Sequence, residues 1–342
     1  MSYKLGILDQ SPIFPGTSAF DALQQTINLA RHAEEWGYTR FWVSEHHHAE
    51  QLAGSSPEVL ISYLLAQTKS IKVGSGGVML QHYSPYKVAE NFHVLSNLSP
   101  GRVDLGIGKA PGGLPLSTKA LQFGTVNDGK DFEERLSFLQ KIIENSVNET
   151  HPLAGIQATP LPSKKPKMFL LGASADSARL AADLGIAYVF ARFINSNETV
   201  LEDAARIYQS IYPTGSFKVS VSVIAAPSQQ EAEQLTGDQK IVKVHLQSGR
   251  SVTVQTLVQA ELFGKQSGES YEIEEQDSNI IAGTPSYVKG ILTNFHENYG
   301  VDEFILHTPI LKEAERFRSF QLLSPLLPEE DHFTSQKKAF IN

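Results

Sequence analysis

One rhythm constrains this chain more than any other feature: short apolar runs alternate with amphipathic segments from end to end. Eight runs read as strands, namely Lys4–Leu8, Arg40–Val43, Lys72–Gly74, Val103–Ile107, Met168–Leu171, Tyr188–Phe190, Lys218–Ala225 and Glu303–His307. Each of the first four leads into a loop bearing glycine or proline and then into a helical stretch. The first helix carries Phe20, Leu23, Ile27 and Ala30 on one face, with Ser18 as N-cap and Gly37 just past its end. Pro57 and Pro85 open two more, at positions where the missing N–H has no helical partner anyway. Strands separated by helices pair in parallel, since a parallel connection needs a crossover of helical length. No Gly-x-Gly-x-x-Gly follows the first strand. The pattern therefore predicts an α/β fold of the (β/α)8 type, a TIM barrel, rather than a doubly wound sheet.

Two regions break the rhythm. Residues 148–166 are rich in Pro, Ser, Thr and Lys and read as a loop before the fifth strand. Residues 262–283 are polar, acidic and glycine-bearing, and fall between the seventh and eighth strands. They are expected to form an insertion loop before the last strand, a mobile lid or else a solvated surface insertion, on a single domain spanning 1–342. Length alone would allow two domains, but an α/β barrel of 342 residues is one. A net charge of −8 gives no electrostatic footprint for nucleic acid or an anionic membrane. Cysteine is absent, which removes disulfides, thiolate nucleophiles and most zinc chemistry. With no signal-peptide h-region and no apolar stretch long enough to span a bilayer, cytoplasmic is the default.

In such a barrel the loops after the strands share one face, where ligands bind. The second strand ends most chemically: Phe41-Trp42-Val43 gives way to Ser44-Glu45-His46-His47-His48. Consecutive residues on extended backbone point to opposite faces, so three adjacent imidazoles do not readily share one ion. HExxH and CxxC spacings are also missing, and no metal site is expected. After the third strand comes Gly74-Ser75-Gly76-Gly77, which lets backbone approach a flat ligand or simply allows a tight turn. Gly106-Ile107-Gly108-Lys109-Ala110-Pro111-Gly112-Gly113 sets one cation among glycines, suggestive of a phosphate cradle. Gly172-Ala173-Ser174-Ala175-Asp176-Ser177 opens a helix with small residues and hydroxyls. These can offer N–H donors to an anion or serve as an ordinary N-cap.

Four spaced motifs resemble the bacterial-luciferase-like, flavin-dependent oxidoreductases: Leu8-Asp9-Gln10-Ser11-Pro12, Glu45-His46-His47, Val73 through Leu80, and Ser99 through Gly108. The likeness runs in register from residue 3 to about 195 and resumes near Gly283-Thr284-Pro285. It implies a monooxygenase in which reduced FMN, supplied by a separate flavin reductase, reacts with O2 to oxidise a small organic substrate. His46 matches the histidine beside the reactive edge of the flavin, where it would act as acid or base near neutral pH. Gly76 and Gly77 match a dipeptide that often forms a non-prolyl cis bond under the ring. Ala173, Ser174, Ala175 and Ser177 match the phosphate-binding turn, and Lys109 stands where close relatives have arginine. The helices at 57–68 and 85–98 match those of a homodimer interface. Gly108 replaces the luciferase-type cysteine, so nothing points to light emission. Two alternatives stay open: an F420-dependent dehydrogenase on the same barrel, and a non-catalytic flavin-binding protein.

Overall fold

The computed structural model describes residues 2–326 apart from Val126 and Gln255, so the ends of the expected 1–342 domain lie outside the described residues. All eight expected strands form. They are β1 (Lys4–Asp9), β2 (Arg40–Val43), β3 (Lys72–Ser75), β5 (Val103–Gly108), β6 (Lys167–Gly172), β7 (Ala187–Ala191), β8 (Phe217–Ala225) and β13 (Glu303–His307). Every pairing is parallel, and β8 bonds both β7 and β13, which closes the ring. Two short strands extend the wall: β4 (Val78–Met79) beside β5, and β12 (Ile281–Gly283) beside the end of β8. Ser18 caps the helix Ala19–Glu35 through a reciprocal bond with Asp21, and Pro57 and Pro85 open their helices as expected. No helix or strand lies between Glu144 and Lys167, as the composition there suggested.

Alternation along each strand separates inside from outside. Leu8, Trp42, Phe169, Val189 and Ile305 meet in the middle of the barrel, with Trp42 edge-on to Phe169 at 4.9 Å. Toward the strand starts the interior is charged instead. Arg40 pairs with Asp104 and, through Nε at 2.8 Å, with Glu303; Lys218 reaches the other Glu303 oxygen at 2.7 Å. The guanidinium also lies over the Phe169 ring at 5.0 Å, so the charged layer is sealed by the aromatic one.

Between β8 and β12 the chain leaves the barrel. It forms the helix Gln229–Thr236, β9 (Lys240–Leu246), β10 (Ser251–Val254), the helix Leu257–Ser267 and β11 (Tyr271–Asp277). β9 is the centre of a three-stranded antiparallel sheet. The expectation of a loop at 262–283 is thus corrected: that stretch holds the end of a helix, β11 and β12. β11 reads Tyr-Glu-Ile-Glu-Glu-Gln-Asp, an edge strand whose carboxylates face solvent. Its adjacent pair Glu274-Glu275 blurs the two-residue period that marks a strand. Val242, Val244, Leu246, Ala260 and Phe263 pack on Leu114, in the loop after β5. The main-chain N–H of Leu116 adds a bond to Gln266 Oε1 at 3.1 Å. The excursion therefore leaves from the β8 end of the rim and lands on the β5 end.

The charged base can be tested. Arg40→Met should lower stability in urea unfolding by about 3–5 kcal/mol, because Asp104 and Glu303 lose their shared cation while still buried. Burial alone would raise the Glu303 pKa, but Arg40 and Lys218 hold it at about 2, against 4.5 for the free side chain. That contribution is complete above pH 4.5 and is lost as pH falls through about 2. Stability should fall between these limits, and less steeply in Glu303→Gln.

Candidate active site

Above the aromatic layer the barrel interior turns polar without turning charged. His46 follows β2 with its Nδ1 at 3.0 Å from Ser44 Oγ, while its main-chain N–H donates to Gly54 O at 2.8 Å. His307 ends β13. Its Nε2 lies 3.2 Å from Gln10 Oε1 and its Nδ1 3.2 Å from Ser222 Oγ. An amide oxygen only accepts, so Nε2 carries the proton and the Ser222 hydroxyl donates to Nδ1. The His307 ring also packs 5.9 Å from Phe193.

Both imidazoles are pushed down to about 4. Burial is the main cause for each; His47 adds to it for His46, and Arg316 and His46 add to it for His307. The opposing pulls of Glu45 and Asp9 are weaker. The expectation of a His46 poised near neutral pH is therefore corrected: this side chain is a neutral imidazole at pH 7.

The next sector is smooth. The Gly76-Gly77 peptide is cis. A Cβ on Gly76 would sit 2.6 Å from Leu8 Cδ1, and one on Gly77 would sit 2.8 Å from the Gly106 carbonyl oxygen. Contact with backbone thus requires glycine at Gly77, whereas a side chain at Gly76 would displace the end of Leu8. Gly108 differs, since a Cβ there would meet only Met79, at 3.4 Å.

Ser174 caps the helix Ala175–Asp183 and exchanges bonds with Ser177 in a capping box. The Ser177 hydroxyl also lies 2.8 Å from Tyr188 OH. These hydroxyls are engaged with each other and with the chain. What the turn offers an anion is the N–H of Ala175 and of Asp176, which have no partner among the described residues. Asp176, exposed in the first turn, suits the helix dipole but opposes a second negative charge. Ile107 pairs with Leu170, so Lys109 and this turn are neighbours across β5 and β6. The Lys109 ammonium stands 5.7 Å over the Phe132 ring and forms no ion pair among the described residues.

All eight candidate residues fall at the mouth: His46 beside Gly76 and Gly77, and Lys109 beside Ala173, Ser174, Ala175 and Ser177. Gln10, Ser222 and His307 were missed by sequence reasoning. The strand-end rule that picked out His46 would also have found His307, the last residue of β13. No cluster of His, Cys, Asp or Glu suited to a metal occurs among the described residues.

A family model for luciferase-like monooxygenases matches residues 3–299. The chain is 47% identical over 324 residues to N-acetyl-S-alkylcysteine monooxygenase of Bacillus subtilis, covering 94% of this chain and 97% of that protein. Among solved structures, apo-MsnO8 is similar with a TM-score of 0.77 at 30% identity, covering 94% and 97% of the two chains. The oxygenating constituent of 3,6-diketocamphane monooxygenase from Pseudomonas putida, solved with FMN, shares the fold at 0.68 and 21% identity over 95% and 98%. The chain belongs to the luciferase-like monooxygenase family. It is an oxidoreductase that incorporates molecular oxygen.

An NMR titration checks the electrostatics of the mouth. His46 and His307 should show no protonation between pH 8 and 5.5, and should titrate near 4. Because the unfolded chain binds those protons from about 6.5 downward, stability should fall as pH drops from 6.5 toward 4. An inflection near 6.5 for either ring would mean that it is solvated.

Proposed function

We propose that the protein is a monooxygenase that takes reduced FMN from a separate reductase and uses O2 to oxygenate a small organic substrate. The observation that carries this reading is the divided mouth, smooth across β3 and β5 and neutral-polar across β8, β13, β1 and β2. The residues fit the cofactor. The free N–H groups of Ala175 and Asp176, with Lys109 beside them, suit a phosphate. The side-chain-free backbone at Gly76, Gly77 and Gly108 suits a flat ring.

When bound, reduced FMN supplies two electrons and two protons, so that one atom of O2 enters the substrate and the other leaves as water. His46, its Nδ1 held by Ser44, has Nε2 to hold or move a proton. His307, fixed by Gln10 and Ser222, orients the substrate. The excursion over the rim keeps water out. The homodimer reading rests on the packed helices Pro57–Gln67 and Pro85–Leu98, which expose Val59, Tyr63, Val94 and Leu98. No described helix is long and apolar enough to cross a membrane, and the cytoplasm is part of the proposal.

The 47% identical relative suggests the first substrate to try. Reduced FMN, ¹⁸O2 and an N-acetyl-S-alkylcysteine should give a product carrying one ¹⁸O atom by mass spectrometry. His46→Ala should keep FMN affinity but lower that yield by about 10²–10⁴-fold. Binding of reduced F420 in preference to FMN, or flavin binding with hydrogen peroxide as the sole product, would instead favour a dehydrogenase or a non-catalytic binder.

Lys109 sets a second test. Lys109→Ala should weaken FMN binding by roughly one to two orders of magnitude, the scale of a hydrogen bond to a charged group. Riboflavin, without the phosphate, should be nearly unaffected. Lys109→Arg should tighten FMN if the loop accepts the planar fork. An FMN-to-riboflavin affinity ratio equal in all three proteins would leave the Ala173–Ser177 turn as the only anchor.

A further inference from the structure

Ser44 and His46 face the barrel interior, so Glu45 between them faces out of the wall. It is fully buried there. Oε2 accepts the main-chain N–H of Met79 at 3.1 Å. Oε1 accepts Tyr83 OH at 2.8 Å and meets His47 Nε2 at 2.7 Å. Each of these donors belongs to a different part of the mouth. Met79 lies two residues past the Gly76-Gly77 peptide, Tyr83 closes the turn before the helix Pro85–Leu98, and His47 adjoins His46.

The network continues into the loop that carries Lys109. The His47 N–H donates to Gly112 O at 2.7 Å. His82, edge-on to both His47 and Tyr83, places Nε2 at 2.8 Å from Pro111 O. Burying a carboxylate here is not needed for packing. An apolar side chain of similar volume would fill the space but leave the Met79 N–H, the Tyr83 hydroxyl and His47 Nε2 without their acceptor. What only an acceptor with two oxygens can do is hold three donors at fixed separations.

We propose that Glu45, acting through His47, Tyr83 and the Met79 N–H, is a positioning residue for the flavin ring. It sets the separation between His46 and the Gly76-Gly77 backbone. The proposal rests on the flavin reading above and extends it to residues that touch neither ring nor phosphate.

The test is titration of the full-length protein and of Glu45→Gln, Tyr83→Phe and His47→Gln with FMN and with riboflavin. Fluorescence gives affinity, visible circular dichroism at saturation reports ring orientation, and the flavin-free melting temperature reports folding. Glu45→Gln keeps the shape but replaces one acceptor by a donor facing other donors. It should weaken FMN and riboflavin alike by about tenfold or more. The bound-flavin dichroism should change, and Tyr83→Phe should shift it in the same sense with little loss of melting temperature. This pattern differs from that of Lys109→Ala, which separates FMN from riboflavin.

Variants that bind with unchanged affinity and unchanged dichroism at saturation overturn the proposal while leaving the flavin reading intact. So does a melting-temperature loss in all three without any change in the dichroism, which marks a purely structural role. If Glu45→Gln fails to fold, Tyr83→Phe and His47→Gln decide by the same two readouts. Absence of flavin binding by the unmodified protein overturns the functional reading itself, and this inference with it.

Discussion

The aromatic layer at the middle of the barrel is what the rest of the molecule depends on. Trp42 and Phe169 divide the interior into a charged base and a neutral mouth. The indole N–H of Trp42 donates downward to Asp104 at 3.0 Å, so the layer is fastened to the ion pairs beneath it. Arg40 and Lys218 are thereby kept beside Asp104 and Glu303. Without that partition, a layer of cations one strand-step lower would reach the mouth with little screening. With it, the floor on which a ligand rests is apolar, and the groups above it feel burial more than charge.

The depressed imidazoles follow from this. Among the described residues, His46 and His307 are the polar side chains lining the β8–β13–β1–β2 side that can titrate, and burial keeps both neutral. A neutral imidazole accepts at one nitrogen and donates at the other, so it can pass a proton without introducing net charge into a dry pocket. In the opposite sector Gly76 and Gly77 present no side chain, because they already press against Leu8 and the β5 backbone. Packing that serves the barrel wall thus also leaves a flat surface.

The strands and the mouth were legible because their signals are local. The barrel strands are buried on both faces and read as short, mostly apolar runs, and the residue after such a run lies at the rim. His46 was visible for that reason. His307 has the same placement but ends a run of ordinary strand residues, Glu-Phe-Ile-Leu-His, with no cluster to draw attention to it. The antiparallel excursion was missed for the converse reason. Its β11 has one face in water and carries four acidic residues among seven, so its pattern resembles a solvated loop until Val244 is seen opposite Ile273. The imidazole pKa values were not legible at all, since burial is a property of the assembled barrel and not of the local sequence.

The same alternation links chemistry to its support. At a strand end, the residue that faces inward meets the ligand space, and its neighbour faces outward into the layer between wall and helices. Two of these outward neighbours are buried carboxylates. Asp9, next to inward Gln10, is held by Arg316 Nη2 at 2.6 Å and by the Ser11 N–H at 3.1 Å. Glu45, next to inward His46, is held by Met79, Tyr83 and His47. Each bracing acid ties its own strand to a distant element: β1 to the helix Glu313–Leu322, and the end of β2 to the segment after the cis peptide. A sequence pair such as Asp9-Gln10 or Glu45-His46 is therefore one unit, in which the acid fixes the backbone from which its partner reaches into the mouth. Replacing the inward member changes what the site can bind or do. Replacing the outward one leaves the same functional groups in place but frees their spacing.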